Sequence, residues 1–143
     1  MISMSIRKAV VLVFSIFWVM SVRAEVLLQT ATTWEGEDVV YPVGEPEITS
    51  VKLKVAAGET TAFHCHPVPT LGYILKGALE VETKDGKKVI LKEGDSAVEV
   101  MRTVHRGTAI EGPAEVIVFY VGEKLVPNTV LPENDPDFKY CNE

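Results

Sequence analysis

The stretch GETTAFHCHPVPTLGYILKG, residues 58–77, holds two of the chain's three histidines and decides how the rest is read. His64 and His66 lie one residue apart in the run Thr61–His66, which Pro67 and Pro69 bring to an end. Residues two apart on a strand face the same way, so both imidazoles leave one face. Cys65 faces the opposite way, which keeps its sulfur off the histidine side. In the next run, Thr70, Gly72 and Ile74 share one parity and are candidates to line a pocket. Tyr73 joins them only if a bulge reverses that parity.

Outward from this stretch the pattern is of short β-rich runs divided by turn residues. Upstream, Ile48–Val55 alternates from Val51 onward and closes on Ala56-Ala57-Gly58. Downstream, Leu71–Leu75 and Ala78–Thr83 flank Gly77. Asp85-Gly86, between two alternating runs, reads as a two-residue hairpin. Lys88–Leu91, Ser96–Met101, Arg106–Ile110 and Ala114–Val121 complete the series. No segment after residue 24 keeps a helical period, so the fold class is all-β, a sandwich or barrel. From about residue 127 three prolines and several acids predict an irregular tail that wraps or frays. Trp34 and Tyr41-Pro42, in an N-terminal arm, are placed to cover a barrel edge.

His105 follows a hairpin and a further strand, far enough along for the chain to return to the first two histidines. Three neutral imidazoles converging in a barrel make a site for one divalent metal ion (Fe, Mn, Zn, Ni or Cu) with positions left open. Glu99 sits in the run Ala97-Val98-Glu99-Val100-Met101, where strand propensity disfavours an acid. Pointing inward, it supplies a displaced fourth ligand, a partner for a histidine or a general base, and is the candidate catalytic residue. Pointing outward, it is a solvated side chain with Val98 and Val100 in the core. Alternation allows both.

These residues resemble the two motifs of the cupin superfamily. Gly58, His64-Cys65-His66, Thr70 and Gly77 fall in register with the first, Thr70 taking the place of its glutamate. Gly94, Val100, Arg102, His105 and Ala109 fall in register with the second, where Val100, Arg102 and Ala109 replace its proline, glycine and asparagine. The resemblance covers residues 48 to about 122 and implies a jelly-roll, double-stranded β-helix barrel of the small single-domain type. The family's usual metal set is three histidines and one glutamate, and Thr70 cannot supply that carboxylate. Some cupin dioxygenases hold ferrous iron with three histidines alone, so the resemblance implies an iron-type dioxygenase acting on a small organic substrate. The alternative is a non-catalytic cupin module that holds a small ligand or a metal. Pairing of two copies through a sheet, as a homodimer, is common in the family.

Arg7 and Lys8, the apolar run Ala9–Met20, and the short side chains of Val22 and Ala24 read as a secretory signal over residues 1–24. Its removal leaves residues 25–143 as one cupin domain with no stable membrane anchor, in the periplasm or secreted. That removal takes three cations and no acid, leaving 11 basic against 20 acidic side chains. Such a surface repels phosphate backbones, which excludes nucleic acid and favours a small-molecule partner. Cys65 and Cys141 permit a disulfide in an oxidising compartment, but spacing alone does not decide between a bridge and two thiols.

Overall fold

The computed structural model describes residues 22–142, so the signal segment read over 1–24 lies almost wholly outside the described residues. Among them, no helix is long and apolar enough to cross a membrane. Seven strands form: β1 (Pro46–Val55), β2 (Thr70–Lys76), β3 (Ala78–Thr83), β4 (Lys88–Lys92), β5 (Ser96–Val98), β6 (His105–Ala109) and β7 (Ala114–Glu123). One sheet has the order β1-β7-β2-β5 and the other β4-β3-β6, every pairing antiparallel.

The inner faces of the two sheets share one apolar core. Val55, Ile74, Ala97 and Val116 come from the first sheet, and Leu79, Val81, Leu91 and Ala109 from the second. Burying a side chain the size of Val or Leu is worth about 1.5–3 kcal/mol, so this layer holds the sheets together. Register then sets the rest of the inner surface. Thr70 pairs with Tyr120, Gly72 with Val118 and Ile74 with Val116, and a bulge follows between Ile74 and Lys76. The core fills one end of the space between the sheets and leaves the other, around Thr70 and Tyr120, to the histidines.

Three local expectations change. Thr61–His66 is not a continuous strand but a series of single bridges: Thr60 to Thr108, His64 to His105, Cys65 to Val130 and His66 to Met101. The segment changes partner along its length, and Pro67 then ends it without an N–H to donate. The turn at Asp85-Gly86 has three residues, not two. Only Gly86 takes a left-handed φ, +91°, and Thr83 N–H reaches Lys87 O across Lys84-Asp85-Gly86. A two-residue turn of the usual hairpin type needs positive φ earlier in the turn, which Lys84 and Asp85 do not adopt. Finally, β5 stops at Val98 rather than Met101, because its partner β2 begins at Thr70 and Pro69 before it has no N–H to continue the ladder. Ala97 faces the core, while Val98 is packed beneath the N-terminal arm beside Leu28 and Val39. Trp34 of that arm donates its backbone N–H to Val98 O at 2.9 Å and caps the β5 edge, whereas Tyr41 stays 67% exposed.

The C-terminal tail wraps. Cys65 and Val130 exchange backbone hydrogen bonds of 2.9 and 3.0 Å, and Cys65 is joined to Cys141 by a disulfide. Around them Val104 and Val130 form a second small core with Phe63 and Tyr140. The Asp135 carboxylate accepts N–H bonds from Lys139, Tyr140 and Cys141. Burial opposes its ionisation, but those bonds and the Arg102 guanidinium hold the carboxyl below its ordinary range. Arg102, in the glycine position of the second motif, has φ +61°. For an L residue that conformation costs roughly 1–2 kcal/mol. The bonds around it hold it there: Arg102 N–H to His66 O at 2.7 Å, and Asn142 N–H to Arg102 O at 2.7 Å.

Candidate metal centre

His64 and His105 sit opposite each other and exchange backbone bonds of 2.9 and 2.8 Å. His66 is two residues along on the same side. The three rings approach to centroid distances of 4.6–5.0 Å, and one ring nitrogen of each lies within 4.8 Å of the other two. The strand assignment for His64 and His66 was too regular, yet an extended backbone still throws both side chains to one face.

Each ring is oriented by its second nitrogen. Nδ1 meets Ala62 O at 2.8 Å in His64, Thr103 O at 2.8 Å in His105, and Asn128 O at 2.9 Å in His66. A carbonyl only accepts, so Nδ1 carries the hydrogen and Nε2 keeps a free lone pair for the centre of the cluster. Charge state agrees with this. Burial first, then the neighbouring imidazoles, push His66 down to about 3. His64 and His105 are also lowered, in each case mainly by burial. All three are therefore neutral at neutral pH, the form that binds metals.

Glu99 points inward. Its Oε2 lies 3.6 Å from His105 Nε2 and has no hydrogen-bond partner. Burial pushes the carboxyl up to about 7, opposed by the pull of His64. Glu99 N–H donates to Thr70 O at 2.8 Å, so an acid reaches the centre from the chain beside Thr70, the residue in the motif's glutamate position.

The cluster opens into a cavity of about 300 Å³ with Leu53, Val118 and Leu131 on its apolar walls and Thr70 and Tyr120 among its polar groups. Of the pocket candidates, Thr70 alone lines this cavity. Gly72 faces inward, and a Cβ there would stand 4.0 Å from Glu99 Oε1, so it makes room behind the acid rather than lining the cavity. Ile74 belongs to the core layer below. Tyr73 faces out, against Val26 and Leu28 of the arm, because the bulge in β2 comes after it and leaves its parity unchanged.

Two contributors escaped the sequence reading. Tyr120, its ring 5.5 Å from that of His66, shares the inward parity of Val116 and Val118 and was open to detection. The carbonyl of Asn128, 62 residues from His66, belongs to the irregular tail and carries no local pattern.

Residues 51–120 match the family model described as "Cupin domain". No curated protein matches the chain by sequence. Among solved structures the chain is similar to DMSP lyase DddQ from Ruegeria pomeroyi DSS-3, with TM-score 0.53 and 23% identity over 62% of this chain and 44% of that one. It is similar to an oxalate oxidase, with TM-score 0.50 and 22% identity over 59% of this chain and 45% of the other. It is also similar to a conserved protein with a double-stranded β-helix domain from Klebsiella pneumoniae, with TM-score 0.51 and 21% identity over 65% of this chain and 89% of that one. The chain thus spans less than half of the lyase and the oxidase, and at these identities the likeness is one of fold.

Proposed function

Because the chain belongs to the cupin family, we propose that His64, His66 and His105 hold one divalent metal ion and that the site is an iron-type dioxygenase centre for a small organic substrate. One observation carries this reading: three neutral imidazoles, each with Nδ1 tied to a backbone carbonyl, converge beside an unpartnered carboxylate. Bound by three imidazoles, a divalent ion keeps open positions and supplies a Lewis acid or, as iron, reactivity toward dioxygen.

The chain's own residues do the rest. The walls at Leu53, Val118 and Leu131 hold an organic body and exclude water. The cavity lining contains no lysine or arginine among the described residues, so the polar end of the substrate is directed to the metal position. Glu99 Oε2 faces that end and takes the proton the substrate releases there.

The test is oxygen uptake by the ferrous protein with a panel of small enols, diketones and phenols. Uptake that needs both iron and substrate is expected, falling about 10²–10⁴-fold in Glu99→Gln. The largely apolar wall favours a second reading, a non-catalytic module that holds a small ligand. Ligand binding without uptake would establish that reading instead.

The basic and apolar N-terminal pattern supports export to the periplasm or beyond, and so does the disulfide, since such bonds persist in oxidising compartments. A homodimer is supported by the outer face of the four-stranded sheet, where Ile48 and Phe119 stay 62% and 45% exposed.

A further inference from the structure

Resting on the metal-site reading above, we infer that the tail after β7 is a working part of the metal centre: Asn128 positions His66, and the Cys65–Cys141 disulfide locks that arrangement. His64 and His105 take their Nδ1 acceptors from carbonyls two residues away, which travel with them. His66 alone depends on a distant acceptor, Asn128 O at 2.9 Å, with Thr129 Oγ1 at 3.3 Å beside it.

That acceptor is itself held on both sides. The Asn128 amide donates to Thr49 Oγ1 of β1 at 3.1 Å. Next to it, Gly122 of β7 leaves room for the Asn128 side chain, since a Cβ there would stand 3.1 Å from Asn128 Oδ1. Two residues further on, Val130 exchanges both backbone bonds with Cys65, the residue between the two ligands. The disulfide then returns the end of the tail to Cys65, and Asn142 closes onto Arg102, whose own N–H is bonded to His66 O. The ligand pair and the tail thus form one closed unit, in which Cys65 is the joint. An imidazole whose Nδ1 loses its carbonyl is free to rotate and to move its hydrogen to Nε2, the atom required for the metal. Opening the disulfide removes no ligand, yet it releases the group that orients one.

The experiment compares the purified protein with Cys65→Ala/Cys141→Ala, Thr49→Val, Thr49→Ser and Leu91→Ala, the last a core change in β4 away from the histidines. Dissociation constants for cobalt(II) and zinc(II) are measured by chelator competition, together with the cobalt absorption spectrum. Imidazole nitrogen shifts of the metal-free protein report the tautomer of His66. The double variant is expected to bind metal about 10–100-fold more weakly, with a changed cobalt spectrum. Thr49→Val, which leaves both cysteines in place, is expected to move both in the same direction, with Thr49→Ser staying close to the wild type. The metal-free wild type shows His66 with hydrogen on Nδ1, and the double variant loses that preference.

Unchanged affinity and tautomer in both the double variant and Thr49→Val overturn the inference. So does an equal loss of affinity in Leu91→Ala, which would make the effect one of stability alone. The tautomer needs no metal. Its presence in a wild type that binds no ion would therefore sink the metal reading while leaving the positioning of His66 by the tail intact.

Discussion

Replacing both Cys65 and Cys141 by alanine is expected to lower the free energy of unfolding by about 4 kcal/mol, read from urea or thermal denaturation against the wild type. The bond spans a sequence separation of 76 residues, a loop that takes in β2 to β7 and the tail but not β1. In the chain-entropy account, a closure of that length removes a large share of the conformations open to the unfolded chain. Both sulfurs lie in the small core with Val104 and Val130, so alanine also leaves a gap there. Most domains are stable by only about 5–15 kcal/mol, which makes this loss a large fraction of the total. A fall of less than about 1 kcal/mol would show that the hydrogen bonds of Asp135 and Val130 hold the tail without the disulfide.

Gly77→Ala should be nearly as costly, at about 3 kcal/mol or more, or should prevent folding outright. Gly77 joins β2 to β3, where the chain crosses from one sheet to the other. Its φ is +76°, and an added Cβ would stand 2.5 Å from Pro113 O. The two penalties have different origins, one in the backbone's own sterics and one in the neighbouring turn, and neither side is free to move. Pro113 is followed directly by β7, whose first residue, Ala114, pairs with Val55. Soluble expression at wild-type yield with an unchanged melting temperature would contradict this account of the last glycine in the stretch 58–77.

The same stretch shows how much of the molecule is written locally. Most of the short strands and the shared face of His64 and His66 follow from alternation by two, a property of each short run, whereas the return of His105 to them is implied by the register of the motifs that resemble those of the cupins. Which face turns inward is not such a property. For Ala97–Val100, hydrophobicity favours Val98 and Val100 as core, yet Ala97 and Glu99 face the interior while the arm buries Val98 from outside. A strand covered on both sides loses the contrast that alternation depends on. Thr61–His66 failed as a strand for a related reason: its partners come from three different places in the chain. The tail was the least legible. Asn128 acts through a backbone carbonyl, which every residue has, and the pairing of Cys65 with Cys141 depends on where the chain ends in space rather than on spacing. Arg102 marks the opposite case. A glycine position in the motif is filled by a residue with a large side chain, and the left-handed conformation survives because the tail and His66 bond to it on both sides.

The central claim, that three histidines form a metal centre, is tested most directly by elemental analysis of the purified protein beside the variant His64→Ala/His66→Ala/His105→Ala. After reconstitution and gel filtration, the account predicts one tightly held divalent ion per chain in the wild type and none in the variant, with both proteins folded. No ion in the wild type, or the same content in both proteins, would contradict it.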